Sequence, residues 1–261
     1  MTQSHDSIIY LEDVTVDYDG FKALDRLNFF MDRRELRVVI GPNGAGKTTL
    51  LDVISGRVKP AHGRVIFGRS TDLTVLGENQ IAALGIGRKF QTPSVFVNLS
   101  VWENVELSLR RPSKGVLATL FDRDGTEARD RIAATLDTVG LGGKAGELAG
   151  ALSHGEKQWL EIGMVMAQDP ELLLVDEPVA GLTDDETART GDLLLSIAAE
   201  RSVLVIEHDM EFVRQIARTV TVLHQGSTLC EGPVEHVQKD ARVLEVYLGR
   251  SAAREAAHAG R

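Results

Sequence analysis

Cysteine occurs once in the 261 residues, at Cys230, which excludes an internal disulfide framework and fits a reducing compartment, with Cys230 itself read as a small strand residue. A surplus of positive charge is missing too. Against 38 Asp and Glu stand 29 Lys and Arg, a formal net charge of -9, so broad contact with a nucleic-acid backbone is not expected to be the main task. No apolar run approaches the ~18 residues a spanning helix needs. The opening MTQSHDSIIYLED has neither the basic region nor the apolar core of a secretory signal. The expectation is a soluble protein whose link to a membrane passes through a partner. The length suits one large α/β domain, or such a core with a smaller inserted subdomain.

What the chain does contain is GPNGAGKTT, set between the apolar runs Val38-Val39-Ile40 and Leu50-Leu51-Asp52-Val53-Ile54. Its residues Gly41, Pro42, Asn43, Gly44, Ala45, Gly46, Lys47, Thr48 and Thr49 read as a loop joining a buried strand to a helix. The pattern G-x-x-x-x-G-K-[ST] turns successive backbone N–H groups onto an anion, and the helix adds its positive end. Lys47 is expected to reach the β- and γ-phosphates of a nucleotide, Thr48 to offer its hydroxyl to Mg²⁺, and Thr49 to support the first helical turn.

Taken in order, Ile8 to Leu11, Val14 to Tyr18 and Phe21 to Phe30 read as strands of a small β-subdomain. Tyr18 is either a core aromatic or a platform for adenine. Arg37 to Ile40 reads as the first buried strand, the helix after the loop as reaching about Arg57, and Arg64 to Phe67 as a strand. Asn79 to Leu84 reads as a short helix, after which Arg88-Lys89-Phe90 leads into Gln91, by itself a solvent-facing polar residue. Helical spacing returns in Val101 to Leu109 and Arg129 to Val139, and Pro112 to Gly125 between them is loop-rich.

Ser153 and Glu156 have the spacing of a capping box, and Gly155 would let backbone approach a phosphate at the same helix start. Leu172 to Val175 has parallel-strand character and ends in Asp176-Glu177-Pro178, where Asp176 is placed to hold Mg²⁺ and Glu177 to activate water. A helix from about Glu186 to Ala199 leads to the strand Val203 to Ile206, which ends at Glu207-His208-Asp209. Three apolar strands thus finish in polar groups, and ligands of open parallel sheets sit at such ends. Thr219 to Leu223 and Thr228 to Glu231 form a last pair of strands, and Pro233 to Leu248 supplies one or two helices.

In this order the motifs resemble those of an ATP-binding cassette (ABC) transporter ATPase subunit, over nearly the whole chain to about Arg250. The resemblance implies an α/β P-loop core of residues 1–91 and 165–250 that includes an antiparallel β-subdomain. It also implies a helical subdomain at 92–164. Beyond the resemblance, residues 251–261 have no apolar face worth burying and read as a disordered tail. It assigns Tyr18 to adenine stacking, Gly41 to Thr49 to the Walker A loop, and Gln91 to the Q-loop, which senses the permease and reaches the metal and catalytic centre. Ser153, Gly155 and Glu156 fall in the signature, Asp176 and Glu177 in Walker B, and His208 is the switch histidine. ATP and Mg²⁺ would lie between two ATPase subunits that drive membrane permease subunits at the cytoplasmic face, with an extracytoplasmic solute-binding protein acting indirectly. Two positions depart from the pattern. His154 stands where the signature has glycine, a strained choice if that site needs φ > 0, and Thr183 stands where the D-loop has aspartate.

ALSHGEKQWLEIGMVMAQDPELLLVDEPVAGLTDDE, VIEHDMEFV and GIGRKFQTPSVFVNLSVWENVELSL resemble the branched-chain amino acid uptake group, most of all its urea or short-chain amide branch. Against this stand two other classes. A soluble ATPase remodelling nucleic acid or ribosomes would bring two cassettes or a long coiled insertion, and a small-molecule phosphotransferase would need an acceptor site.

Overall fold

Two phases of alternation run through the first strand, β1 (Ser7–Tyr18), and they explain its shape. Ile9 and Leu11 are buried on odd positions, Val14 and Val16 on even ones. A bulge at Glu12–Asp13, with Asp13 at φ 51°, resets the phase so that both halves face one core. What reads in sequence as two short strands is therefore one. Its partner β2 (Phe21–Asp32) makes the matching shift near Arg26 and buries Leu24, then Leu27, Phe29 and Met31.

The computed structural model describes residues 7–89, 94–109 and 124–247. β1, β2, β4 (His62–Phe67) and β5 (Thr71–Asp72) form an antiparallel sheet in the order β2-β1-β4-β5. A second sheet holds β3 (Leu36–Ile40), β6 (Ile86–Lys89), β7 (Leu172–Asp176), β8 (Ser202–Ile206), β9 (Thr219–His224) and β10 (Ser227–Gly232) in the order β10-β9-β3-β8-β7-β6. Only the β9–β10 pair in it is antiparallel.

The parallel strands β3, β7 and β8 are buried at every position, so each serves two cores. Val39, Leu172, Leu174, Leu204 and Ile206 pack with the antiparallel sheet and with α1 (Lys47–Ile54), together with Ile81 of α2 (Glu78–Ala83). Val38, Ile40, Leu173, Val175, Val203 and Val205 face the other way, onto the helical side. That side comprises α3 (Val101–Ser108), α4 (Asp124–Thr138), α5 (His154–Met166), α6 (Asp184–Ala198) and α7 (Met210–Ile216). α8 (Val234–Val237) and a helical stretch at 241–247 complete the described chain.

Some boundaries differ from the sequence reading. α1 stops at Ile54, not near Arg57, because Ser55 caps it and Gly56 follows at φ 79°. α4 begins at Asp124, inside the stretch expected to be loop. β6 reads Ile-Gly-Arg-Lys, without apolar alternation, and becomes a strand by pairing with β7. α7 was not anticipated, although Asp209 caps it by accepting from Glu211 N at 2.8 Å and Phe212 N at 3.1 Å. Gln91 and the tail at 251–261 lie outside the described residues.

Candidate functional site

The loop after β3 is held open by two glycines that nothing larger can replace. A Cβ on Gly41 would lie 2.2 Å from the Leu223 carbonyl oxygen. One on Gly46, where φ is 100°, would lie 2.5 Å from that of Ala23. The β9–β10 turn fastens the loop from outside: Gly226 N donates to Ala45 O at 3.0 Å, and Asp25 N to Gly226 O at 3.0 Å. Asn43 and Gly44 stay exposed at the tip. The Lys47 ammonium curls back to donate to Gly41 O at 2.8 Å and Pro42 O at 3.3 Å, and the residue is 8% exposed. Thr48 is exposed and Thr49 half-buried in the first turn of α1. Tyr18 is exposed at the end of β1, opposite Phe21, two residues before the Ala23 that touches the loop at Gly46.

Strand register brings the other polar groups level with this loop. Val39 of β3 pairs with Ile206 of β8, and Ile206 pairs with Asp176 of β7. At about 4.8 Å between neighbouring strands, the three ends span on the order of 10 Å. Asp176 is buried, which pushes its carboxyl pKa up, while the Arg88 guanidinium 3.8 Å away pulls it down. Arg88 also binds Asp52 at 2.7 Å and Ser55 Oγ at 3.0 Å, tying the end of β7 to α1 one turn beyond Thr48.

Glu177 has φ 45°, a conformation costing a non-glycine residue on the order of 1–3 kcal/mol, and its N–H donates to Ile206 O at 3.0 Å. His208 Nδ1 lies 3.5 Å from Glu177 Oε1 and 3.7 Å from Glu207 Oε2. Glu207 is fully buried and accepts from Val179 N at 3.3 Å, His208 N at 2.9 Å and Asp209 N at 3.3 Å. Burial raises its pKa against those donors. Its carboxylate thereby clamps the segment after Glu177 to the loop carrying His208.

The donor set suits Mg²⁺. Among the described residues no three His, Cys, Asp or Glu side chains cluster as a protein-only metal cage. A hydroxyl at Thr48 and a carboxylate at Asp176 are the few hard oxygens expected where phosphates and water fill the other positions.

Ser153 caps α5, accepting from Glu156 N at 3.2 Å, while Glu156 reaches back to Ser153 N at 3.0 Å and pairs with Lys144 at 2.8 Å. His154 is the first helical residue and has no positive φ, so the condition for strain is not met. Its ring fills the place a glycine would leave empty, with Nε2 3.3 Å from Ala180 O and 3.1 Å from Gln158 Nε2. Thr183 caps α6, accepting from Glu186 N at 3.3 Å.

Sequence reasoning missed Arg88, Lys89, Glu186 and Glu207. The T-x-x-E spacing of Thr183 and Glu186 was a usable signal, but nothing local marks the others. Lys89, fully buried, donates to Gln158 Oε1 at 3.3 Å and lies 4.0 Å from Glu161 Oε2 on α5. Burial pulls the Lys89 pKa down and pushes Glu161 up to about 7. The folded chain then binds an extra proton between the ordinary glutamate value of 4.5 and about pH 7. Stability from this group is present below that window and is lost as pH rises through it. Urea unfolding of the nucleotide-free protein should show a fall on the order of 2 kcal/mol across the window, most of it absent in Glu161→Gln.

The family model for ABC transporter matches residues 24–180. The high-affinity branched-chain amino acid transport ATP-binding protein LivG of Escherichia coli (strain K12) is 35% identical over 242 residues, covering 90% of this chain and 94% of that protein. A crystal structure of the ADP conformation of MJ1267, an ATP-binding cassette of an ABC transporter, superposes with a TM-score of 0.82 at 29% identity, over 93% of this chain and 99% of that one. A dimeric post-hydrolysis state of the cassette MJ0796, bound to ADP and Pi, gives 0.73 at 26% identity, over 87% and 98%.

Proposed function

From the premise that this chain belongs to the ABC transporter family and hydrolyses ATP with Mg²⁺, we propose that it is the motor subunit of an importer for branched-chain amino acids. The observation that carries the catalytic part is the convergence of the Lys47 loop, Asp176-Glu177 and His208 on three adjacent strand ends.

Lys47 exchanges the carbonyls of Gly41 and Pro42 for the β- and γ-phosphates of ATP. Thr48 and Asp176 would hold Mg²⁺, which would supply neutralisation of phosphate charge. Glu177 accepts the proton of the attacking water, and His208, within reach of the same carboxylate, orients it toward the γ-phosphate. Tyr18 stacks on adenine, and Gln91 links the metal side of the site to the permease. Ser153 and Gly155 receive the γ-phosphate of ATP held by a second ATPase subunit. The dimeric relative bound to ADP and Pi supports that assembly. Residues 1–91 and 165–250 would then act as the nucleotide core and 92–164 as the part that docks on the permease. Among the described residues no helix is long and apolar enough to cross a membrane, which suits peripheral attachment at the cytoplasmic face.

For the solute, the matched relatives are branched-chain amino acid transport proteins, which favours that class over the urea or short-chain amide reading drawn from sequence. No residue here needs to touch the solute, so the test lies with the partners. In vesicles holding the co-purified permease subunits and the solute-binding protein, leucine, isoleucine or valine should raise ATP turnover several-fold. Stimulation by urea or acetamide alone would overturn this choice and restore the amide reading.

A further inference from the structure

The start of α5 already carries an anion, and it comes from the same chain. Ser153 Oγ donates to Glu186 Oε1 at 3.1 Å. The Gly155 backbone lies against the same carboxylate. The fit is close: a Cβ on Gly155 would lie 2.5 Å from Glu186 Oε1. These are the two residues to which the reading above gives the γ-phosphate of the partner's ATP.

The two carboxylate oxygens divide their work. Oε2 accepts from Thr183 N at 3.1 Å and Thr183 Oγ1 at 3.2 Å, completing the capping box of α6. Oε1 reaches across to α5. The contact with Ser153 can therefore break while α6 keeps its cap. Glu156 Oε2 accepts from Ser153 N at 3.0 Å while Glu186 Oε1 accepts from Ser153 Oγ, so two acidic side chains flank the place where a phosphate would arrive. A dianion cannot settle on Ser153 and Gly155 while Glu186 remains there, since like charges at hydrogen-bond distance repel strongly.

We propose that Glu186 is a cis-acting gate on the signature segment: its carboxylate stands in for the phosphate in the separated subunit and is expelled when the partner's nucleotide enters. The proposal rests on the reading above that one ATP is shared between two subunits. Expulsion makes subunit closure harder, and it couples occupancy of the α5 start to the turn Ala180–Thr183 that leads into α6.

The test uses the full chain carrying Glu177→Gln, so that ATP is bound without being consumed, and measures by light scattering the ATP concentration at which it dimerises. Adding Glu186→Gln keeps an allowed capping-box residue and removes the charge. The midpoint should drop at least about fivefold, the lower end of typical coupling between sites. ATP affinity of the monomer and melting temperature should stay unchanged. Glu186→Asp, whose carboxylate falls one methylene short of Ser153, should shift the midpoint the same way by less, and it serves if the glutamine variant folds poorly. An equal or higher midpoint in a folded variant overturns the gate alone. A Glu177→Gln parent that stays monomeric at saturating ATP overturns the shared-ATP reading and the gate together.

Discussion

Glu177→Gln is expected to lower ATP turnover by ~10²- to 10⁴-fold, the range for loss of a positioned general base, while nucleotide binding survives. Glutamine preserves shape and one acceptor, so the strained backbone at φ 45° and the N–H bond to Ile206 O should persist. What is lost is the capacity to take a proton. The nucleotide side is separate: Lys47 and the loop it belongs to are held by Leu223, Ala23 and the Gly226 turn, none of which involves Glu177. Single-turnover hydrolysis beside equilibrium binding of ATP distinguishes the two effects. Turnover within tenfold of wild type would remove Glu177 from the base role and leave His208 or Glu207 to be tested in its place.

The contrast between Glu177 and Glu207 shows what sequence discloses and what it hides. Glu177 is legible because it follows an apolar strand, precedes a proline and lies beside a phosphate-loop pattern. Glu207 has a similar sequence setting after β8, yet its carboxylate is spent on three backbone N–H groups, one of them from Val179, 28 residues earlier. Only folding brings that donor within reach. Arg88 and Lys89 were missed for the same reason. In sequence they are two exposed-looking cations before Gln91, and their burial depends on Asp52, Asp176, Gln158 and Glu161 from three other elements.

The parallel core was legible from its continuous apolar runs. The edge strand β6 was not, because pairing with β7 rather than its own residues makes it a strand. At His154 the condition for strain is not met, for a local reason: the helix begins at that residue, so it has ordinary helical backbone that any side chain can adopt.

Ser153→Arg is expected to abolish steady-state hydrolysis, by ~10²-fold or more for the loss of one preorganised donor to a developing anion, without weakening ATP binding to the monomer. The fold should withstand it. Losing the Ser153 cap costs roughly 1 kcal/mol, and Glu156 retains its ion pair with Lys144 at 2.8 Å. The informative version mixes this variant with Lys47→Ala, which is itself expected to be inactive. In a dimer of one subunit of each kind, one composite site joins an intact Lys47 to an intact Ser153, and the other site lacks both. Two-fold symmetry then requires that activity return to about a quarter of the wild-type level after equal mixing and reassembly. If Ser153 acted within its own subunit, each mixed site would lack one group and no activity would return. Recovery on mixing therefore separates a site shared between subunits from one complete in each, and it does so without relying on the absolute rate of either variant.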